Sequence, residues 1–146
     1  MKLIPKRGAD DLLFGMKPAD VLAIYGMPDK KFDDEEGNTI YVYNKFKLRL
    51  SFYEDEEFRL GYIISANADS KLLDGSVIGK LPEEVKERLI AKGLKTWEQE
   101  DFDLAENHFN EANWLIIQSE FGIVVKVEMG AIINDKDEFE WAFKGK

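Results

Sequence analysis

The chain contains no cysteine. Neither a disulfide framework nor a thiolate metal site can be built from it, which suits a reducing compartment. Histidine is almost as scarce, with His108 the single copy. A Ser-His-Asp arrangement, a histidine-bearing metal site or histidine acid–base catalysis would each have to rest on that one residue. It lies in the polar stretch AENHFNEAN with no second ligand beside it, and it reads as a loop histidine without a role. The 11 glycines are dispersed, and neither GxGxxG nor GxxxxGK[ST] occurs, which argues against a phosphate-cradling loop. Long apolar runs are missing too. No stretch approaches the roughly 20 apolar residues of a membrane-spanning helix. The opening MKLIPKRGADDLL lacks the apolar run of a secretory signal. The expectation is a soluble, cytoplasmic protein with no membrane partner.

Positive charge is also short, at 20 basic against 29 acidic residues and a net charge of −9. A nucleic-acid surface calls for a basic patch, so no nucleic-acid partner is expected. An acidic surface instead steers a basic partner toward it. The acids come in runs: Asp33-Asp34-Glu35-Glu36, Glu54-Asp55-Glu56-Glu57, a scatter from Glu98 to Glu106, and Asp135 to Glu140. These runs lack the alternating ligands of a calcium loop, so neither a metal nor a cofactor is expected. Nothing selects one carboxylate pair for acid–base work, and the chain is not expected to be an enzyme. Most of these acids read as solvated turns flanking apolar strands.

What is present is a near-duplication. FGMKPADV, Phe14 to Val21, returns as IGKLPEEV, Ile78 to Val85. Gly15 matches Gly79, Pro18 matches Pro82, and the acids Asp20 and Glu84 correspond. Proline suits the first helical position, where its missing N–H costs nothing. The acid two places later complements the helix dipole. Helical spacing continues through Val21, Leu22, Ile24 and Tyr25 in the first copy and Val85, Leu89 and Ile90 in the second. The first helix stops at Gly26 and Pro28, the second at Gly93.

After each helix the period falls to two. Thr39–Asn44, Phe46–Tyr53 and Phe58–Ala66 read as strands in the first half. In the second half Ala112–Ser119 and Phe121–Met129 are strong candidates and Phe102–Asn107 a weak one. Units of this size are marginal alone and must share a core. The expected fold is α+β, with two tandem helix-plus-antiparallel-sheet repeats forming one broad sheet and both helices on one face. Within a single domain, 1–146, repeat one covers about 12–67, a joint 68–77 and repeat two 78–133. A C-terminal edge segment, 134–146, follows, in which Phe139, Trp141 and Phe143 share a face.

Phe46, Leu48, Leu50 and Phe52 fall on one side of their strand, while Arg49 and Tyr53 fall on the other. If the helices cover the aliphatic side, Tyr41, Tyr43, Arg49 and Tyr53 stand together on the open one. Tyrosine and arginine are enriched where interfaces concentrate their binding energy. The expected partner-binding set is therefore Tyr41, Tyr43, Arg49 and Tyr53, with the acidic turns Asp33, Asp34, Glu54, Asp55, Glu56 and Glu57. Trp114, inside an aliphatic stretch, is assigned to the core.

A helix opened by Gly-x-x-x-x-x-Val, closed by glycine and followed by a meander is carried here by Gly15, Val21, Gly26 and Pro28, then by Gly79, Val85 and Gly93. It resembles the repeat unit of the beta-lactamase inhibitory proteins, and it is similar to the SmpA/OmlA (BamE-like) outer-membrane lipoprotein domains. The resemblance implies tandem halves and capture of an enzyme across the concave face of the sheet. The chain departs from both families, lacking the inhibitors' cysteines and the lipoproteins' lipobox. In type it is also similar to the small acidic bacterial immunity proteins. The leading expectation is a non-catalytic protein-binding inhibitor, an acidic immunity protein that neutralises a basic toxin domain through the open sheet face and acidic loops. The alternative is a cytoplasmic assembly or small-ligand-binding module with a BamE-like domain. A monomer or weak dimer is expected in either case.

Overall fold

A computed structural model of the chain describes residues 1–145. Three short strands come first: β1 (Lys2–Ile4), β2 (Gly8–Ala9) and β3 (Leu12–Leu13). Helix α1 (Pro18–Tyr25) follows. Pro18 occupies its first turn, and the Asp20 carboxylate accepts the Lys17 backbone N–H at 2.9 Å. It closes at Gly26, whose φ of 76° favours a residue without a Cβ. Four strands succeed it: β4 (Lys30–Asp33), β5 (Thr39–Tyr43), β6 (Leu48–Tyr53) and β7 (Arg59–Ser65), with a 3₁₀ turn at Glu54–Glu56. A hairpin, β8 (Lys71–Leu72) and β9 (Gly75–Ser76), leads to α2 (Pro82–Ala91). Then come β10 (Glu98–Phe102), β11 (Ala105–Asn110), a 3₁₀ turn at Glu111–Asn113, β12 (Leu115–Glu120) and β13 (Ile123–Gly130). The small strands β14 (Ile132–Ile133) and β15 (Phe139–Glu140) complete the chain.

The architecture is mixed α and β, and mostly sheet. Eight strands form one broad antiparallel sheet in the order β10-β11-β12-β13-β7-β6-β5-β4. A five-stranded sheet, β3-β2-β1-β8-β9, contains one parallel contact, between β1 and β8. A row of cross-strand partners runs over one face of the broad sheet: Tyr43, Leu48, Ser65, Val127, Ile117 and His108. Every member of that row is buried. Tyr25 of α1 packs on this side, stacking on Phe46 with ring centroids 4.8 Å apart. Val21 of α1 and Val85 and Leu89 of α2 join the same hydrophobic cluster. Fully burying a side chain of this kind contributes about 1.5–3 kcal/mol, so this face contributes strongly to stability.

Several expected boundaries differ. Strands β4 and β10 were not anticipated, because KKFD and EQEDF carry charge and every residue in them is exposed. They are the two sheet edges, where charge prevents further pairing. The expected strand Phe102–Asn107 breaks at a turn, with Asp103 at φ 44°. The expected joint contains the β8–β9 hairpin, turned by Leu73 and Asp74 at φ 49° and 68°. Within its described residues the C-terminal segment adds no edge to the broad sheet. Its Phe139–Glu140 strand pairs with β14, and the Phe143 N–H donates to the Phe14 carbonyl at 2.9 Å. Lys146, the end of that expected segment, lies outside the described residues.

Candidate functional site

One residue along each strand from the buried row lies a second row, on the other face. It reads Lys30, Val42, Arg49, Ile64, Glu128, Ile116, Phe109 and Glu98 from edge to edge. None of these residues is fully buried. The row is polarised, with cations at its β4 and β6 positions and carboxylates at β13 and β10. Arg49 stacks over Phe32, its guanidinium carbon 5.6 Å from the ring centroid.

Two aromatic rings lie flat against this face because glycine leaves room beneath them. A Cβ at Gly61 would overlap the Tyr53 ring, and one at Gly130 would overlap the Trp114 indole. Trp114 follows a 3₁₀ turn capped by the Asn110 side chain, which accepts the Asn113 N–H at 3.1 Å. Its backbone is left-handed, with φ 46°, an uncommon state for a bulky residue. The ring lies on the same face as Ile116, two residues on, and Trp114 is 40% exposed. Trp114 is therefore not the core residue expected from its aliphatic neighbours.

Trp114 separates two clefts on the open face. One, of about 480 Å³, is lined by Tyr62, Phe109, Trp114 and Ile116 with Glu98 and Glu100. The other, of about 450 Å³, runs from Trp114 to Tyr53 and Phe139. Phe109 and Trp114 meet edge to face, 5.1 Å apart at 89°. The Tyr62 hydroxyl donates to Glu128 Oε1 at 2.5 Å. Burial first, then this hydrogen bond, raises the Tyr62 pKa, so it remains a donor. Burial and the nearby Glu36 push Tyr53 up to about 12.

The expected partner-binding residues separate into three groups. Tyr41 and Tyr43 are not on the open face. They pair with Leu50 and Leu48, share the helix-covered side, and are each 3% exposed. Tyr43 donates its hydroxyl to the Gly26 carbonyl at 2.8 Å, and burial pushes its pKa up to about 12. Both serve packing. Arg49 and Tyr53 do lie on the open face. The acids occupy two adjoining turns at one end of the sheet, joined by the Glu54 N–H donating to Asn38 Oδ1 at 3.0 Å. Asp34 braces its own turn. Slight desolvation pushes its carboxyl up, but the Asn38 and Glu36 backbone N–H groups outweigh it and hold the carboxyl below its ordinary value. Asp33 accepts the Thr39 hydroxyl at 3.3 Å, and Glu57 faces Lys17 at 3.6 Å. Glu54, Asp55 and Glu56 form the 3₁₀ turn itself, the first two exposed and Glu56 half-buried.

His108 is not in a loop. It sits in β11 on the covered face, 1% exposed, with Nε2 3.5 Å from both Ser119 Oγ and Glu106 Oε1. Its Nδ1 is buried without a partner among the described residues. Burial, then the positive charge of Lys86, lowers its pKa. Both contacts fall on one ring nitrogen and Ser119 is fully buried, so this trio presents no nucleophile to solvent. Among the described residues no group of three or more His, Cys, Asp or Glu side chains is placed to hold a metal ion, and no helix is long and apolar enough to cross a membrane.

No family model matches the chain, and no curated protein matches it. Among solved structures, the fold is similar to part of an extracellular protein containing an SCP domain from Bacillus anthracis, with a TM-score of 0.51 and 15% identity. That alignment covers 79% of this chain and 43% of the other, so the chain spans less than half of its neighbour's length. At this identity the likeness concerns the fold alone.

Proposed function

We propose that this is a non-catalytic protein-binding inhibitor of the immunity type, cytoplasmic, which holds a basic partner domain against the open face of its broad sheet. The observation carrying this reading is the second row: an aromatic and aliphatic floor with carboxylates gathered toward β10 and β13. Large stiff rings with polar handles supply contact area at low entropic cost, and the net charge of −9 draws a basic partner in.

The same proposal takes the two halves as tandem copies. Each has a short hairpin (β2–β3, β8–β9), then a proline-opened helix, then a four-stranded meander. The offset relating Phe14 to Ile78 also relates Arg59–Ser65 of β7 to residues 123–129 of β13, the strands that join the meanders.

Calorimetry against the basic product of a neighbouring gene tests the reading. Tight, salt-sensitive one-to-one binding supports it; absence of binding to any such product contradicts it. The small-ligand alternative draws on the two clefts beside Trp114. A metabolite that raises the melting temperature without any protein partner would favour it.

A further inference from the structure

We infer that the cleft between Trp114 and β10 receives a lysine or arginine side chain projecting from the basic partner, an inference that rests on the protein-binding reading above. Its walls are aromatic. Phe109 and Trp114 stand nearly perpendicular, 5.1 Å apart, and form a corner closed below by Ile116 and Tyr62. Cations are attracted to the faces of such rings, tryptophan most strongly. Its rim is acidic. Glu98 and Glu100 alternate along β10 onto the open face, opposite Phe109 and Asn107. Among the described residues, none that lines the cleft is basic. Glu128 lies one strand beyond Ile116, fixed by the Tyr62 hydroxyl.

Trp114 holds a left-handed backbone at φ 46°, and residues held in such states cluster at binding sites. Gly130 supplies the space that lets the indole lie on the sheet. Together they keep a large ring half-exposed beside two carboxylates. An aromatic corner with an acidic rim complements a positive charge on an apolar stem, which is what lysine and arginine offer.

The probe is a synthetic peptide rich in lysine and arginine, titrated calorimetrically into the full chain, with a matched peptide carrying citrulline and norleucine instead. Trp114→Ala should weaken the basic peptide roughly tenfold, with Trp114→Phe retaining most of the affinity. The double variant Glu98→Gln/Glu100→Gln, on an exposed edge strand, should weaken binding by a similar factor and flatten its dependence on salt. Glu87→Gln, at an exposed position of α2 on the opposite side of the sheet, should change nothing. Unaltered affinity in the Trp114→Ala or the double variant, equal binding of the uncharged peptide, or an equal loss in Glu87→Gln overturns the assignment. Failure here is distinguishable from failure of the broader reading. A basic protein that binds the parent and the Trp114 variant alike removes the cation site and keeps the inhibitor. A Trp114-dependent peptide with no protein partner keeps the site and removes the inhibitor.

Discussion

Two rows of side chains cross the broad sheet one residue apart in every strand. Under the helices run Tyr43, Leu48, Ser65, Val127, Ile117 and His108, all buried. On the open side run Val42, Arg49, Ile64, Glu128, Ile116 and Phe109, all at least partly accessible. The pleat alone separates these chemistries, because successive residues of a strand point to opposite faces. The covered row fixes the fold, and the open row is free of that packing. Adjacent substitutions should therefore have unlike consequences.

The largest contrast is in stability. Phe52→Ala, at a fully buried position on the covered face, should cost about 3–5 kcal/mol in urea denaturation. Ile116→Ala on the open face should cost less than about 1 kcal/mol. Equal losses would break the distinction between the faces. Next comes Gly130→Ala, whose new Cβ must displace the Trp114 ring. We expect destabilisation of about 1–3 kcal/mol and a shift in tryptophan emission. No change in either would mean that the ring is not held against the sheet.

The pH dependence of stability probes the covered row. His108 has a folded pKa below its ordinary value of 6.5, so below that pH the unfolded chain binds more protons. Stability from this residue is fully present above about pH 6.5 and is lost as pH falls toward the depressed folded value. His108→Gln should flatten this part of the profile, and an unchanged slope would contradict the assignment. The smallest effect belongs to Lys17 and Glu57, an ion pair with both partners well exposed. Glu57→Gln should change stability by about 0.5 kcal/mol or less, measured by thermal melting.

Parts of this design were legible in the residues, for identifiable reasons. Both helices begin at the prolines of the duplicated segments, because proline and a first-turn acid act locally. The alternation of Leu48, Leu50 and Phe52 gave their burial directly. The side on which Tyr41 and Tyr43 fall was not legible. In TIYVY both alternating sets are apolar, and a choice one residue apart reverses the face. Pairing with Leu50 and Leu48, and the reach of the Tyr43 hydroxyl to Gly26, decided it. Trp114 was hidden for another reason. Left-handed backbone in a residue other than glycine leaves little trace in sequence, and only the Asn110 cap hinted at the turn before it. His108 lay in a stretch whose polar alternation masks a strand with one buried side. The edge strands were masked by the same charge that keeps them from pairing further.

The most direct test of an open binding face is to map backbone and tryptophan side-chain amide shifts by NMR while a basic partner or lysine- and arginine-rich peptide is added. The account predicts perturbations at Glu98, Glu100, Phe109, Trp114, Ile116 and Tyr62, with α1 and α2 left unmoved. Perturbations concentrated on the helices, with the Trp114 indole N–H unshifted, would contradict it.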